Sequence, residues 1–320
     1  MAVLGDNATV AIIVPTLRRP DSLARALRSL FVQTGVADRV AAIVVVDNDP
    51  EGTAQAVVAR LTPLSPWPLI YRHAPRPGVA TARNAGLAAV DAPLIAFLDD
   101  DEAADAAWLA ELLDAKAETG ADVVFGPIRG RAPDGAPWAR PYLERFFGRE
   151  GPGRTGLIDQ AYGCGNSLMV RVTALPGPAP FDLAADHSGG EDDVLFSALS
   201  ARGGRFGWAA EAWVDEFAPP HRATLTYVLA RAFAYGQGPS QTAARNSNWP
   251  GVARWMVIGA GQALVWGAVA AGLTLINSAR RAEAMDHTAR GLGKLFWMKG
   301  FEPHFYGERE LQRLRAVRPA

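Results

Sequence analysis

Apolar residues in the first third of the chain gather in short continuous runs. Residues 10–15, 41–46, 69–72 and 94–98 are largely β-branched or aliphatic and of strand length, the pattern of strands buried on both faces of a sheet. Helical spacing fills the gaps. Pro20-Asp21-Ser22 opens a helix in which Leu23, Leu27 and Leu30 share a face, with Asp21 or Ser22 as the expected cap. Residues 53–61 read as a second helix, and 79–90 as a third behind the Pro77-Gly78 turn. Strands alternating with helices predict an α/β fold with a mostly parallel sheet flanked by helices, whose ligands bind beyond the C-terminal strand ends. Three of those four ends are polar: Pro15-Thr16, Asp47-Asn48 and Asp99 to Asp101.

The pattern then changes twice. Residues 129–160 are rich in Gly and Pro, carry Trp138, Tyr142, Phe146 and Phe147, and read as a long loop. Residues 194–202 predict a helix and 212–216 a strand. A second shift comes at Pro250, and residues 255–276 hold no charge at all. The expected organisation is an α/β region over 1–235 and a helical, hydrophobic extension over 236–320.

Composition narrows the chemistry. Of 320 residues 49% are hydrophobic, and the formal net charge of −1 gives no reason to expect nucleic acid as a partner. Cys164 is the sole cysteine, which excludes an internal disulfide and any multi-cysteine zinc site; it reads as a small packing residue. The N-terminus lacks a basic segment followed by an apolar one, so no secretory signal is expected there. The five histidines form no metal-ligand spacing, and His221 reads as an ordinary residue at a helix start.

Two acidic clusters carry the candidate chemistry. Asp99, Asp100 and Asp101, followed by Glu102, stand at the mouth of an apolar strand. Hard cations such as Mg²⁺ or Mn²⁺ take oxygen ligands and leave positions for substrate phosphates, so the cluster suits a diphosphate-bearing substrate; the plainer reading is a cap for the next helix. Glu191-Asp192-Asp193 follows Ser188-Gly189-Gly190. It is either a helix cap or a source of the general base that a weakly nucleophilic hydroxyl requires. No Gly-x-Gly-x-x-Gly follows the first strand, which argues against a dinucleotide site, and the phosphate loop of a sugar-1-phosphate nucleotidyltransferase is missing.

Taken in order, Ile13-Val14-Pro15-Thr16, Val45-Val46-Asp47-Asn48, the run from Gly78 to Gly86, Phe97-Leu98-Asp99-Asp100-Asp101 and Gly190-Glu191-Asp192-Asp193 resemble the family 2 glycosyltransferases. Among them, the arrangement is most similar to bacterial surface-polysaccharide transferases of the succinoglycan type. The resemblance implies the GT-A fold and an inverting enzyme that moves a hexose from a nucleotide diphosphate sugar to a hydroxyl of a glycan or lipid-linked glycan. It implies donor contacts from Thr16, Asp47 and Asn48 to the nucleoside, Arg83 near the diphosphate, and Asp99 at the ribose or a metal-bound water. Asp101, with Asp99, would bind Mg²⁺ or Mn²⁺. Asp192 would be the base, with Glu191 as the alternative. A nucleotide-sugar-binding or scaffold protein without catalysis is the competing class.

Residues 255–276 are long enough to span a bilayer at about 1.5 Å per residue. Nucleotide sugars are cytosolic, so a single crossing would put Arg280, Arg281, Arg290 and Lys294 on the far side, against the positive-inside bias. The segment is therefore read as lying in the cytoplasmic leaflet of the inner membrane, with Trp255, Trp266 and Trp297 at the interface, or as packing a hydrophobic dimer.

Overall fold

The computed structural model describes residues 8–187 and 190–303. Among the described residues, those up to Arg129 together with Arg149–Glu216 form one compact unit, and Gly130–Gly148 with residues 217–303 form another. The division thus falls at 216/217, earlier than the expected 235/236. The supposed loop over 129–160 is not structureless: it donates a helix to the second unit.

In chain order the first half runs β1 (Val10–Thr16), α1 (Pro20–Leu30), β2 (Val40–Asp47), α2 (Gln55–Leu61), β3 (Leu69–His73), α3 (Val79–Ala88), β4 (Leu94–Phe97), β5 (Glu102–Ala104) and α4 (Trp108–Thr119). It continues with β6 (Val123–Phe125), β7 (Ile128–Arg131), α5 (Arg140–Phe147), β8 (Gly156–Ile158), β9 (Ser167–Val170), α6 (Arg171–Ala174), α7 (Glu191–Ala201), β10 (Phe206–Trp208) and β11 (Val214–Phe217). Helices α8 (Leu225–Arg245), α9 (Trp249–Leu275) and α10 (Arg281–Leu295) follow.

The main sheet has the order β3-β2-β1-β4-β9-β6-β10-β8, and a small sheet is ordered β5-β11-β7. Strands β1 to β4 pair in parallel, as predicted; β9 enters antiparallel between β4 and β6. Each central strand feeds both faces. Val10, Ile12, Val14, Ile43, Val45 and Ala96 pack with Leu23, Leu27 and Leu30 of α1 and Leu112 of α4, whereas Ala11, Ile13, Val44, Val46, Ile95 and Phe97 pack with Leu87 of α3 and Leu195 and Leu199 of α7. Register brings Thr16 opposite Asp47 and Ile13 opposite Phe97, so three polar strand ends reach one rim.

The start of α1 differs from expectation. Neither Asp21 nor Ser22 caps it: Arg19 holds the cap position without a side-chain cap bond, and Pro20 opens the helix. Proline suits that first position because its missing N–H would be unpaired there anyway. Helix α7 begins at Glu191, three residues before the predicted start, so the second acidic cluster is its first turn.

In the second unit, α10 lies against both α8 and α9 through small residues. A Cβ on Gly236 would meet the Arg290 carbonyl at 2.3 Å, and one on Gly291 would meet the Ala263 nitrogen at 2.7 Å. Tyr142 of α5 donates to Asp286 of α10 at 2.9 Å.

Asn166 knots the first unit. It is fully buried at φ 52°, accepts from Trp108 Nε1 at 2.7 Å, and donates to the carbonyls of Pro127 at 2.7 Å and Ala212 at 2.9 Å. Removing that amide strands the Trp108 indole N–H and the Ala212 carbonyl, at about 1–3 kcal/mol each, while the Pro127 carbonyl keeps the Val214 nitrogen. Asn166→Ala should therefore lose about 3 kcal/mol in urea unfolding; a loss below about 1 kcal/mol would show that the knot is not a support.

Candidate active site

The three strand ends are tied together by two arginines in the turn after β1. Arg18, at φ 55°, donates from Nε to Asp49 at 3.0 Å and from a terminal nitrogen to Glu51 at 2.7 Å. Arg19 donates to Asp100 at 2.9 Å and Asp101 at 2.8 Å, and the Thr16 hydroxyl donates to Asp100 at 2.7 Å. The tandem Arg18-Arg19 is a residue pair that sequence reading passed over as ordinary turn residues. Its signal was two cations in the turn beside an acidic strand mouth.

Asp47 and Asn48 face inward. The fully buried Asp47 carboxylate accepts from the nitrogens of Asp49 and Ala54 at 3.0 and 2.7 Å and from the Tyr71 hydroxyl at 3.0 Å. Burial, and then this carboxylate, push the Tyr71 phenol up to about 12. Asn48 donates to the carbonyls of Ala74 and Arg76, both at 2.8 Å, and accepts from the Gly78 nitrogen at 2.6 Å. Both residues spend their hydrogen-bonding capacity on the loops that frame the rim.

Gly78 precedes α3 at φ 157°, where a Cβ would meet the Asp186 carboxylate at 2.1 Å. That carboxylate accepts from the Thr81 nitrogen at 3.1 Å and hydroxyl at 2.6 Å, closing the first turn of α3. Asp186 had no sequence signal, since its partners lie about a hundred positions away.

One turn further along α3 stands Arg83, buried between the rings of Phe97 and Phe181 at 5.9 and 5.6 Å from their centroids. Its guanidinium, expected beside the donor diphosphate, is committed to carboxylates: it bonds Glu191 at the start of α7 and lies 3.6 Å from Asp99. The neighbouring Asn84 fixes the same wall, donating to the Phe181 carbonyl at 2.8 Å and accepting from its nitrogen at 3.1 Å. The two acidic clusters, roughly ninety residues apart in the chain, therefore meet at one guanidinium.

The glycines around Cys164 pass between them. A Cβ on Gly165 would come within 2.6 Å of Asp99 Oδ2, and the Cys164 nitrogen donates to Asp192 Oδ2 at 3.3 Å. Asp99 keeps 40% of its side chain exposed, whereas Glu191 keeps 7%. Glu102 is buried and accepts from the Asp99 nitrogen at 2.9 Å.

Carboxylates outnumber cations here, and the proton affinities respond. Partial loss of water raises Asp99, with the charges of Asp101, Glu191 and Asp192 adding to it and Arg83 opposing. Burial lifts Asp100 to about 6 despite Arg19. Glu102 sits well above its ordinary range through burial and the charges of Asp99 and Glu216, and Glu191 is raised by burial against the pull of Arg83. Among the described residues no group of three or more His, Cys, Asp or Glu is placed to hold an ion unaided. Asp99 and Asp101 offer two hard oxygen donors, which fits a cation whose remaining positions are filled by substrate phosphates and water. Cys164 is buried, as expected of a packing residue. His221 lies in the second unit, shortly before α8.

The chain is 34% identical over 300 residues to the succinoglycan biosynthesis protein ExoM of Rhizobium meliloti (strain 1021), covering 93% of this chain and 96% of that protein. It is also similar to the crystal structure of S. aureus TarS, at 14% identity and a TM-score of 0.48, over 71% of this chain and 39% of that one. Residues 11–175 match the family described as Glycosyl transferase family 2, a stretch that includes Thr16, Asp47, Asn48, Arg83 and Asp99 to Asp101 but ends before Glu191 and Asp192. On these matches the binding-protein alternative gives way, and the chain belongs to glycosyl transferase family 2 as a glycosyltransferase.

Proposed function

We propose that this glycosyltransferase moves a hexose, with inversion, from a nucleotide diphosphate sugar to a hydroxyl of a glycan or lipid-linked glycan. Its setting is surface-polysaccharide assembly of the succinoglycan kind at the cytosolic face of the membrane. The observation that carries the reading is the convergence on Arg83, which holds the strand-end carboxylate Asp99 and the helix-start carboxylate Glu191 in one place.

The roles divide by exposure. Glu191 is buried against a cation and is a positioning residue, whereas Asp192, next to it and partly exposed, is free to meet an acceptor hydroxyl. Asp192 takes the hydroxyl proton as the new glycosidic oxygen–carbon bond forms and the bond to the nucleotide diphosphate breaks. Asp99 and Asp101 would hold Mg²⁺ or Mn²⁺, which when bound supplies positive charge to the departing diphosphate. Thr16, Asp47 and Asn48 shape the nucleoside end, Asp47 and Asn48 by fixing the loops on which it rests.

Asp192→Asn keeps the size of the side chain and removes its basicity. It should slow initial transfer by about 10²- to 10⁴-fold with donor affinity unchanged. Glu191→Gln, which unpairs buried Arg83, should show first as a lower unfolding temperature. Full transfer by Asp192→Asn would overturn the assignment of the base.

The crowded carboxylates give a second test. A carboxyl held above its ordinary value makes the folded protein bind more protons than the unfolded chain, so its contribution to stability falls as pH rises from the unfolded value, near 4, through the folded one. For Asp100 that window ends at about 6. Glu102→Gln should accordingly stabilise the metal-free protein more at pH 7 than at pH 5, by about 1.4 kcal/mol for each pH unit of the shift it removes. Added Mn²⁺ should raise the unfolding temperature of the wild type at pH 7, and Asp101→Ala should lose that rise. Greater stabilisation by Glu102→Gln at pH 5, or an equal response to Mn²⁺ in Asp101→Ala, would count against the crowded-carboxylate reading and the metal assignment respectively.

A further inference from the structure

Helix α9 is long and apolar enough to cross a membrane, with a mean hydropathy of 1.6. Its packing speaks against a crossing. Along one side it is matched to α10 residue by residue: Gln262 donates to the His287 carbonyl at 2.9 Å, Lys294 donates to Gln262 at 2.9 Å, and Trp266 stacks on His287 at 4.4 Å between ring centroids. A Cβ on Gly259 would touch the Gly291 carbonyl and Lys294 Cβ, both at 2.6 Å. Helix α10 carries Arg281, Glu283, Asp286, His287, Arg290 and Lys294. A bilayer surrounding α9 would take these charges into hydrocarbon, at about 2.5 kcal/mol or more for each charge near the centre.

Among the described residues the opposite side of α9 has no such partner. Val257 is 73% exposed, Leu264 75%, Val265 61% and Leu275 88%, and with Ile258 and Val269 they recur at helical spacing on an outward face. Apolar side chains in that density are uncommon on a monomer's surface. The charge on α9 itself and at its two ends is of one sign, the acidic residues Glu283 and Asp286 lying on α10. Between Phe217 and Ala282 the sequence has no Asp or Glu. Exposed Arg245 and Arg254 stand near one end of α9 and exposed Arg280 near the other, and Trp249, 62% exposed, marks the first turn.

We infer that α9 is an in-plane anchor, whose outward face sinks into an anionic lipid surface while α10 stays on the aqueous side and both ends of α9 remain on the same side of the membrane. An apolar face rimmed by arginines at both ends complements acyl chains overlaid by anionic headgroups. A second copy of this chain would instead bring like-charged ends together or leave them idle. The inference concerns attachment and stands apart from the assignment of the base and metal residues.

The test uses the full chain and vesicles of phosphatidylcholine with or without phosphatidylglycerol. Co-sedimentation should require phosphatidylglycerol. Replacing Arg245, Arg254 and Arg280 by Gln should weaken it on the order of 10²-fold, at about 1 kcal/mol per arginine. Val257→Asp with Leu264→Asp, both at exposed sites that leave the core intact, should abolish it while circular dichroism stays unchanged. Should the Asp variant not fold, the Gln variant alone carries the test. Sidedness is read in inside-out inner-membrane vesicles from cells expressing Asn246→Cys or Ala279→Cys, with a membrane-impermeant maleimide; native Cys164 is buried. Labelling of both positions supports the in-plane anchor, and protection of one would overturn it in favour of a crossing. Failure to bind vesicles, with a concentration-dependent dimer that Leu264→Asp dissociates, would overturn it in favour of self-association.

Discussion

The bond between Arg83 and Glu191 is the constraint on which the rest of the candidate site depends. It joins α3 to the first turn of α7 across 108 positions of sequence, and the same guanidinium reaches Asp99 beyond β4. An ion pair removed from water recovers its desolvation cost only with good geometry, and losing one partner costs about 3–5 kcal/mol. Here the aromatic walls of Phe97 and Phe181 shield the cation, and Asn84 clamps the backbone of Phe181. Such a pair contributes less to net stability than to uniqueness of position. It leaves one way for the helix start bearing Asp192 to face the strand mouth bearing Asp99.

A similar economy governs the strand ends. A polar group at a ligand rim either faces the ligand or fixes the loop that does, and a buried carboxylate that already accepts three bonds has little left to offer. Asp47 and Asn48 are of the second kind. Arg18 and Arg19 latch the β1 turn to the loops after β2 and β4, so the three loops are tied to one another. The acidic excess left over, with Asp99 the more open carboxylate, is an electrostatic strain that positive charge brought into the site would relieve.

Much of the nucleotide-binding half was legible in the sequence because buried parallel strands write themselves as unbroken apolar runs: residues 10–15, 41–46, 69–72 and 94–98 correspond to β1 to β4. What could not be read was set by distance along the chain. Arg83 in its motif suggested a phosphate partner, since nothing local reveals that Glu191 folds onto it. Asp186 over Gly78 was invisible for the same reason. The Gly- and Pro-rich stretch over 129–160 looked irregular because its helix, α5, is only eight residues long and finds its apolar partners in Val228 of α8 and Ala282 of α10. The cap of α1 was misjudged because Pro20 stabilises a helix start without any side-chain acceptor.

The C-terminal helices show why hydropathy alone does not decide topology. A window of α9 reads as a span because composition ignores neighbours, yet Gly259 on α9 and Gly291 on α10 let a charged helix lie close. Small residues on a packed face and large aliphatic residues on the outward face are opposite solutions to the same problem of covering an apolar helix. In α9 the protein covers one side, and its arginine-rimmed other side is shaped for a surface that is apolar within and anionic at its edge.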